Sequence, residues 1–277
     1  MTADERMIDV PGGRLYARAD GDGPAILLVH AGIVDSRAWD PLVPLLTAAG
    51  HRAIRYDTRG FGRTETDDVT FSNRADLLAV LDAFGVERAV LVGNSRGASI
   101  AFDSAIEFPD RVAAVVLIGG SIGGYDPEPT PEEAAIYERL EEFEEDHGTD
   151  PEFLTDLVIR AWVDGIGQPE GRVREPIRGW LRPMVLATCD PTRATGRPIP
   201  LDPPAAKRLA AVTLPILAIA GGVDMSTFEA TGRHLEHACV NARPVVVPDT
   251  AHLVAVEAPE RTAELILELV RSIGDVS

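Results

Sequence analysis

The sequence predicts an α/β fold, a doubly wound and mostly parallel eight-stranded sheet carrying an inserted all-helical segment. Three observations predict it. Six short apolar runs rich in Val and Ile alternate with helical patterns, a turn signal near the start separates two further strand-like runs, and strand-like runs vanish between about Tyr125 and Pro200. Apolar runs of this length suit strands buried on both faces of a parallel sheet, and their alternation with helices implies winding in both directions.

At the start, Ile8 to Val10 and Arg14 to Arg18 flank Pro11-Gly12-Gly13, which reads as an antiparallel hairpin on the sheet edge. The apolar runs follow at Ile26 to Val29, Ala53 to Tyr56, Ala89 to Val92, Ala113 to Ile118, Pro215 to Ala220 and Pro244 to Val247. Between and after them the helical patterns lie at Ala38 to Ala49, Asn73 to Phe84, Ala98 to Phe108 and Arg261 to Ile273. The expected division is a core of residues 1–124 and 201–277 with a helical insertion at 125–200.

From Asp126 to Asp156 the chain carries thirteen acidic residues against one basic residue, Arg139. A solvated helix face explains such a run, because no metal-loop spacing accompanies it. Within and beyond it, Ile136, Leu140, Phe143, Phe153, Leu157 and Trp162 recur at spacings that face a core or a substrate pocket.

Composition excludes several classes of function. The chain of 277 residues is 45% hydrophobic and 25% charged, as expected of a soluble globular protein. A net charge of −18 disfavours nucleic acid and anionic membranes as partners. There is no apolar stretch of the ~20 residues needed to span a bilayer, and Met1 to Arg6 is charged with no apolar region behind it, so a cytoplasmic enzyme is expected. Cys189 and Cys239 match no metal or redox spacing and read as free thiols.

The chemistry centres on Gly93-Asn94-Ser95-Arg96-Gly97, a G-x-S-x-G pattern with a strand-like run before it and an amphipathic run after it. A serine on so tight a strand-to-helix turn is strained and held out toward substrate, and the glycines relieve crowding at its flanks. Serine is a poor nucleophile at its own pKa, so Ser95 needs a base and a group that orients the base. Among six histidines, His252 follows a strand-like run in Pro248-Asp249-Thr250-Ala251-His252, beyond a strand's carboxyl end, where open α/β sheets place their sites. His51, His147, His234 and His237 fall at strand starts or on polar helices and read as surface or structural. For the acid, Asp224 closes the apolar run Leu217 to Gly221 through a Gly turn, with Glu229 and Asp249 as competitors. The order Ser95, Asp224, His252 fits this topology. Oxyanion donors are expected from the Arg96 N–H and, in the loop His30-Ala31-Gly32-Ile33, from Gly32, with Ile33 as the alternative.

These residues resemble the α/β-hydrolase superfamily, in the branch with a helical cap. The resemblance rests on His30-Ala31-Gly32, Asp57-Thr58-Arg59-Gly60-Phe61-Gly62-Arg63-Thr64, the Ser95 elbow, Gly221 to Asp224, and Ala251-His252 with Glu257-Ala258-Pro259-Glu260 behind it. It spans essentially the whole chain outside the cap. Two departures stand out, His-Ala in place of the usual His-Gly and Thr64 in place of the more usual serine. The resemblance implies a serine hydrolase of a small ester or lactone that works through an acyl-enzyme and needs neither metal nor organic cofactor. A serine nucleophile disfavours haloalkane dehalogenases and epoxide hydrolases, which use aspartate. Asn94 is similar to the G-N-S-x-G elbow of carbon–carbon hydrolases of ring-fission products, the alternative reading. That reaction needs a cation for the substrate carboxylate, from Arg96, Arg160, Arg178 or Arg182. A non-catalytic ligand receptor on the same fold is the third reading. Arg96, Ile33 and Trp162 are the candidate substrate contacts, with the Arg96 side chain read either as such a cation or as a packed structural arginine. The expected partner is a small molecule, and the sequence leaves monomer and homodimer both open.

Overall fold

The computed structural model describes residues 3–146 and 150–274, leaving aside the side chains of 140–146. His147 and the side chains of Leu140 and Phe143 therefore lie outside the described residues.

All eight expected strands form. β1 (Asp4–Val10) and β2 (Gly13–Asp20) make the antiparallel hairpin, in register from Asp4 opposite Ala19 to Val10 opposite Gly13. β3 (Ala25–Val29), β4 (Arg52–Tyr56), β5 (Ala89–Asn94), β6 (Val112–Ile118), β7 (Ile216–Gly221) and β8 (Ala242–Val247) complete a sheet of order β1-β2-β4-β3-β5-β6-β7-β8. From β4 to β8 every pair is parallel, and the two-residue strand Glu65–Thr66 pairs with β2 as a ninth member. Every residue of β3, β5, β6 and β7 is buried, as their apolar sequence requires.

Strand order reverses at β3, which has β4 on one side and β5 on the other. At such a switch point the crevice opens outside the carboxyl ends of the strands. The loops that leave β3 and β5 there are His30 to Ile33 and the Ser95 turn, so topology alone brings the two sequence signals together.

Side chains alternate between two cores. Leu27, Val29, Leu91, Val115 and Leu117 pack against α2 (Asn73–Ala83) and α3 (Arg96–Glu107), whereas Ile26, Leu28, Val90, Val92 and Val116 face the opposite layer, where α1 (Val43–Ala48) contributes Leu46. The helix expected over Ala38 to Ala49 is interrupted. Ser36–Trp39 forms a 3-10 turn and α1 starts only at Val43, because Pro41 offers no N–H and Pro44 suits the first turn of a new helix.

The loop after β4 is held by buried polar contacts. Asp57 accepts from the N–H groups of Ser36 (2.9 Å) and Arg63 (2.8 Å), and the Thr64 hydroxyl donates to the Asp57 carbonyl (2.5 Å), so threonine fills the place of the usual serine. Arg59 is 2% exposed, grips both carboxylate oxygens of Asp76 on α2 (2.7 and 3.0 Å), and donates to the carbonyls of Pro11 and Gly12. Asp76→Ala strands the buried guanidinium and is expected to destabilise the fold by about 3–5 kcal/mol, measured as a lower denaturation midpoint at unchanged slope.

Between β6 and β7 lie α4 (Pro131–Asp146), α5 (Pro151–Val158), which continues as a π-helix over Ile159–Asp164, and α6 (Ile177–Thr188), but the segment is not all helical, since Arg197–Pro198 pairs in parallel with Thr70–Phe71 as a separate two-stranded sheet. Val158, Ile159, Val163, Leu181, Met184 and Val185 pack with Ala31, Val34, Leu253 and Val256 of the core loops. Phe153, whose spacing was expected to face the core or a substrate pocket, is 44% exposed. A cavity of about 230 Å³, lined by insertion residues that include Ile136, Leu157, Ala161, Arg139 and Arg160, runs beside the π-helix. The chain ends through α7 (Ser226–Ala238), α8 (Val254–Glu257) and α9 (Pro259–Ile273), the last adding Leu265 and Ile266 to the second core. Cys189 and Cys239 are free and buried. Among the described residues, no helix is long and apolar enough to cross a membrane.

Candidate active site

Ser95 adopts φ 56° and ψ −120° between β5 and α3, a conformation that costs on the order of 1–3 kcal/mol in a residue with a Cβ. The flanking glycines make it feasible. A Cβ at Gly93 would collide with the Gly97 backbone, and one at Gly97 with the Val29 carbonyl. Ser95 also occupies the N-cap of α3 without making a side-chain cap bond, so its hydroxyl is not consumed by the helix. Its N–H donates to the Ile118 carbonyl at 2.8 Å, fixing the turn to the end of β6.

His252 sits in the loop after β8 with Nδ1 at 2.9 Å from Asp224 Oδ2, and the two side chains are 2% and 1% exposed. Asp224 Oδ1 accepts the Met225 N–H at 2.8 Å, so both carboxylate oxygens are engaged. A carboxylate facing Nδ1 assigns the proton of a neutral imidazole there and leaves Nε2 as the acceptor. The competing acids lie elsewhere. Glu229 pairs with Arg233, and Asp249 shapes the turn before His252 with φ 59°.

Asn94 ties the elbow to the histidine loop. Its amide donates to the carbonyls of Ile118 (3.0 Å) and His252 (3.1 Å). Trp162 and Phe228 pack against the imidazole with ring centroids at 4.6 and 4.9 Å and lie 6.3 Å from each other, and the His252 N–H donates to the Trp162 carbonyl at 3.2 Å. Gly119, at φ 51°, keeps space beside the pair, since a Cβ there would lie 3.0 Å from His252 Nδ1 and 3.1 Å from Asp224 Oδ2.

The loop after β3 is anchored by His30, which is fully buried. Its Nδ1 faces the Ala31 carbonyl (2.8 Å), and Nε2 accepts the Thr58 N–H (3.0 Å). Burial pushes its pKa down, so the ring stays neutral and its hydrogen bonds are retained at neutral pH. Among the described residues, the N–H groups of Gly32, Ile33 and Arg96 meet no protein acceptor outside regular helix and strand pairing.

The Arg96 side chain runs beside Gly32 and away from the elbow. It donates to Thr58 Oγ1 (2.6 Å) and Asn73 Oδ1 (3.3 Å) and lies over the Phe61 ring at 5.0 Å. Burial lowers its pKa to about 10, which leaves it charged at neutral pH. No carboxylate among the described residues pairs with it. The other candidate arginines are engaged, Arg160 and Arg178 by Asp164 at 3.9 and 2.8 Å, and Arg182 by Glu152 and Asp156. Among the described residues, no group of three or more His, Cys, Asp or Glu side chains is arranged to hold a metal ion.

The model of the alpha/beta hydrolase family matches residues 26–265. The chain belongs to that family. Among curated relatives, the rhodomycin D methylesterase DauP of Streptomyces sp. (strain C5) is 30% identical over 94% of this chain and 96% of its own length. Epoxide hydrolase B of Mycobacterium tuberculosis is 34% identical over 45% of this chain, a match that spans only 37% of that protein. In three dimensions the bromoperoxidase of Bacillus anthracis matches 98% of this chain and 100% of its own with a TM-score of 0.77, at 22% identity. That last likeness is one of fold.

Sequence reasoning singled out Ser95, Asp224 and His252, and the structure puts the acid against the imidazole, with Asn94, next to Ser95, donating to the His252 carbonyl. It missed Phe228, Gly119 and the role of the Asn94 amide. The Gly119-Gly120 pair directly after β6 was the signal available for one of them, since consecutive glycines at a strand's carboxyl end mark a close approach.

Proposed function

We propose that the protein is a serine hydrolase that cleaves a small ester or lactone through an acyl-enzyme. The observation that carries this reading is the buried Asp224 to His252 contact at 2.9 Å, beside an elbow whose serine caps nothing. In the proposed cycle Ser95 Oγ attacks the carbonyl carbon while His252 Nε2 takes its proton. The tetrahedral oxyanion is held by the Arg96 N–H together with that of Gly32 or Ile33. His252 then returns the proton to the departing alkoxide, and water, activated by the same imidazole, releases the acid. Asp224 stabilises the imidazolium formed twice per turnover. Trp162 and Phe228 supply an apolar wall beside the imidazole, suited to an uncharged leaving group, and no cofactor enters the cycle. The methylesterase match over nearly the full chain supports an ester as the bond class.

Carbon–carbon hydrolysis is the second reading, and the unpaired cation of Arg96 favours it. With Arg160, Arg178 and Arg182 held by acids, the carboxylate subsite it needs falls on Arg96, whose guanidinium Thr58 and Asn73 already hold. The ester reading requires no such subsite.

A fluorophosphonate reagent should label the wild-type protein at Ser95, and Ser95→Ala should abolish labelling while circular dichroism stays unchanged. Undiminished labelling of the folded variant would reject the assignment.

A further inference from the structure

Among the described residues of the acid-rich segment, Glu133 is a buried carboxylate, 3% exposed. It forms a capping box with Thr130 at the start of α4. The Thr130 N–H donates to Glu133 Oε2 at 2.8 Å, and the Glu133 N–H donates to Thr130 Oγ1 at 3.3 Å. The same carboxylate reaches across to a second helix. Oε1 accepts the Ser226 N–H, and Oε2 accepts the Ser226 hydroxyl at 2.9 Å.

Ser226 is the first residue of α7, and the residue at the N-cap of that helix is Met225, which makes no side-chain cap bond and carries only a weakly accepting thioether. Glu133 therefore supplies the missing cap from another helix, and its negative charge lies at the positive ends of both α4 and α7. Burial alone would raise its pKa, but the hydrogen bonds from Ser226 and Thr130 outweigh that and hold the carboxyl below its ordinary value.

The capped turn is the one that presents the acid. Met225 donates its N–H to Asp224 Oδ1, Ser226 follows, and Phe228, two residues further on, lies against His252. One turn beyond Glu133, Tyr137 approaches Trp162, whose ring also packs against His252 and against Phe228.

We propose that Glu133 is a positioning residue for the Asp224 to His252 pair, so that docking of the helical insertion onto α7 is a condition for presenting the Asp224 carboxylate correctly. This rests on the reading of Ser95, His252 and Asp224 as a catalytic triad. The insertion then does more than roof the substrate. It sets the orientation of the acid beneath it.

The test compares Glu133→Ala with Thr130→Ala, which loses the capping hydroxyl but leaves Ser226 its carboxylate, using p-nitrophenyl acetate as substrate. Glu133→Ala should lower kcat by about tenfold to a hundredfold with KM within about twofold, since small misplacements of an orienting group act on the chemical step. Thr130→Ala should keep kcat near wild type even where its thermal midpoint falls. Equal kcat in the two variants, or a loss confined to KM, would overturn the proposal. Glu133→Gln guards against misfolding, because it keeps the volume and one acceptor, and an intermediate kcat supports positioning whereas wild-type kcat rejects it. A readout independent of turnover is the downfield proton resonance of His252 Nδ1–H, assigned by its loss in His252→Ala. It should shift upfield or broaden in Glu133→Ala and stay unchanged in Thr130→Ala, and an unchanged resonance in Glu133→Ala would overturn the proposal. Turnover that survives Ser95→Ala would reject the triad while leaving the resonance to judge Glu133 by itself.

Discussion

His252→Ala is expected to lower kcat toward p-nitrophenyl acetate by about a millionfold, with the fold retained. The size follows from the proposed cycle, in which the imidazole acts twice in each half-reaction, as acceptor of the nucleophile's proton and as donor to the leaving oxygen. With it removed, Ser95 keeps its place on the turn but attacks as a neutral hydroxyl, and the departing alkoxide leaves unprotonated. What survives is the oxyanion site, which typically retains about 10³- to 10⁴-fold over water. The variant also leaves the buried Asp224 carboxylate with Met225 N–H as its remaining donor from the present pair of contacts, so a modest loss of stability accompanies the loss of rate. Combining Ser95→Ala with His252→Ala should lower kcat no further than either change alone, because the two residues act as one unit. Steady-state rates on protein shown to be folded by circular dichroism check both statements, and losses that multiply in the double variant would mean that the two side chains act independently.

The parts of this molecule that were legible in the sequence are those whose signal is short in range. The elbow is one, since a strand run, two glycines two residues from a serine and an amphipathic run all fall between Ala89 and Phe108. Strands β3, β5, β6 and β7 are others, because burial on both faces leaves each as an apolar run, broken only by Asn94 at the end of β5. Even there, local chemistry moved a boundary where two prolines fell within one helical period, delaying α1 to Val43. Phe153 had the right spacing for a core position and is exposed, because periodicity marks a face of a helix without saying what covers it.

Contacts between distant segments were the illegible part. Glu133 and Ser226 are 93 residues apart, and inside an acidic run nothing in the sequence marks Glu133 as a carboxylate that will be buried at a second helix. Phe228 lies on a helix that reads as polar, and its contact with His252 arises from how α7 leaves β7. Arg96 shows the same limit within the elbow itself. The residue's place directly after Ser95 was plain, but the path of its side chain past Gly32 to Thr58 and Asn73 depends on how the loops after β3 and β4 approach each other.

Asp224→Asn separates orientation from charge and is expected to lower kcat about 10⁴-fold with little change in the fold. The Met225 N–H needs an acceptor, and in the variant only the carboxamide oxygen can serve, so the amide is oriented with its oxygen toward Met225. Its NH₂ then faces His252 Nδ1, at the position where Asp224 Oδ2 now lies 2.9 Å away. A donor there requires Nδ1 to accept, which moves the imidazole proton to Nε2. The nitrogen that should take the Ser95 proton already carries one, and the base is disabled although every heavy atom keeps its place. Nitrogen-15 NMR of the ring reads the tautomer directly. Protonation at Nδ1 in the wild type and at Nε2 in Asp224→Asn is the expected pair of results. A variant that keeps the Nδ1–H tautomer yet loses its rate would show that the negative charge opposite the imidazolium, rather than the choice of tautomer, is what Asp224 contributes.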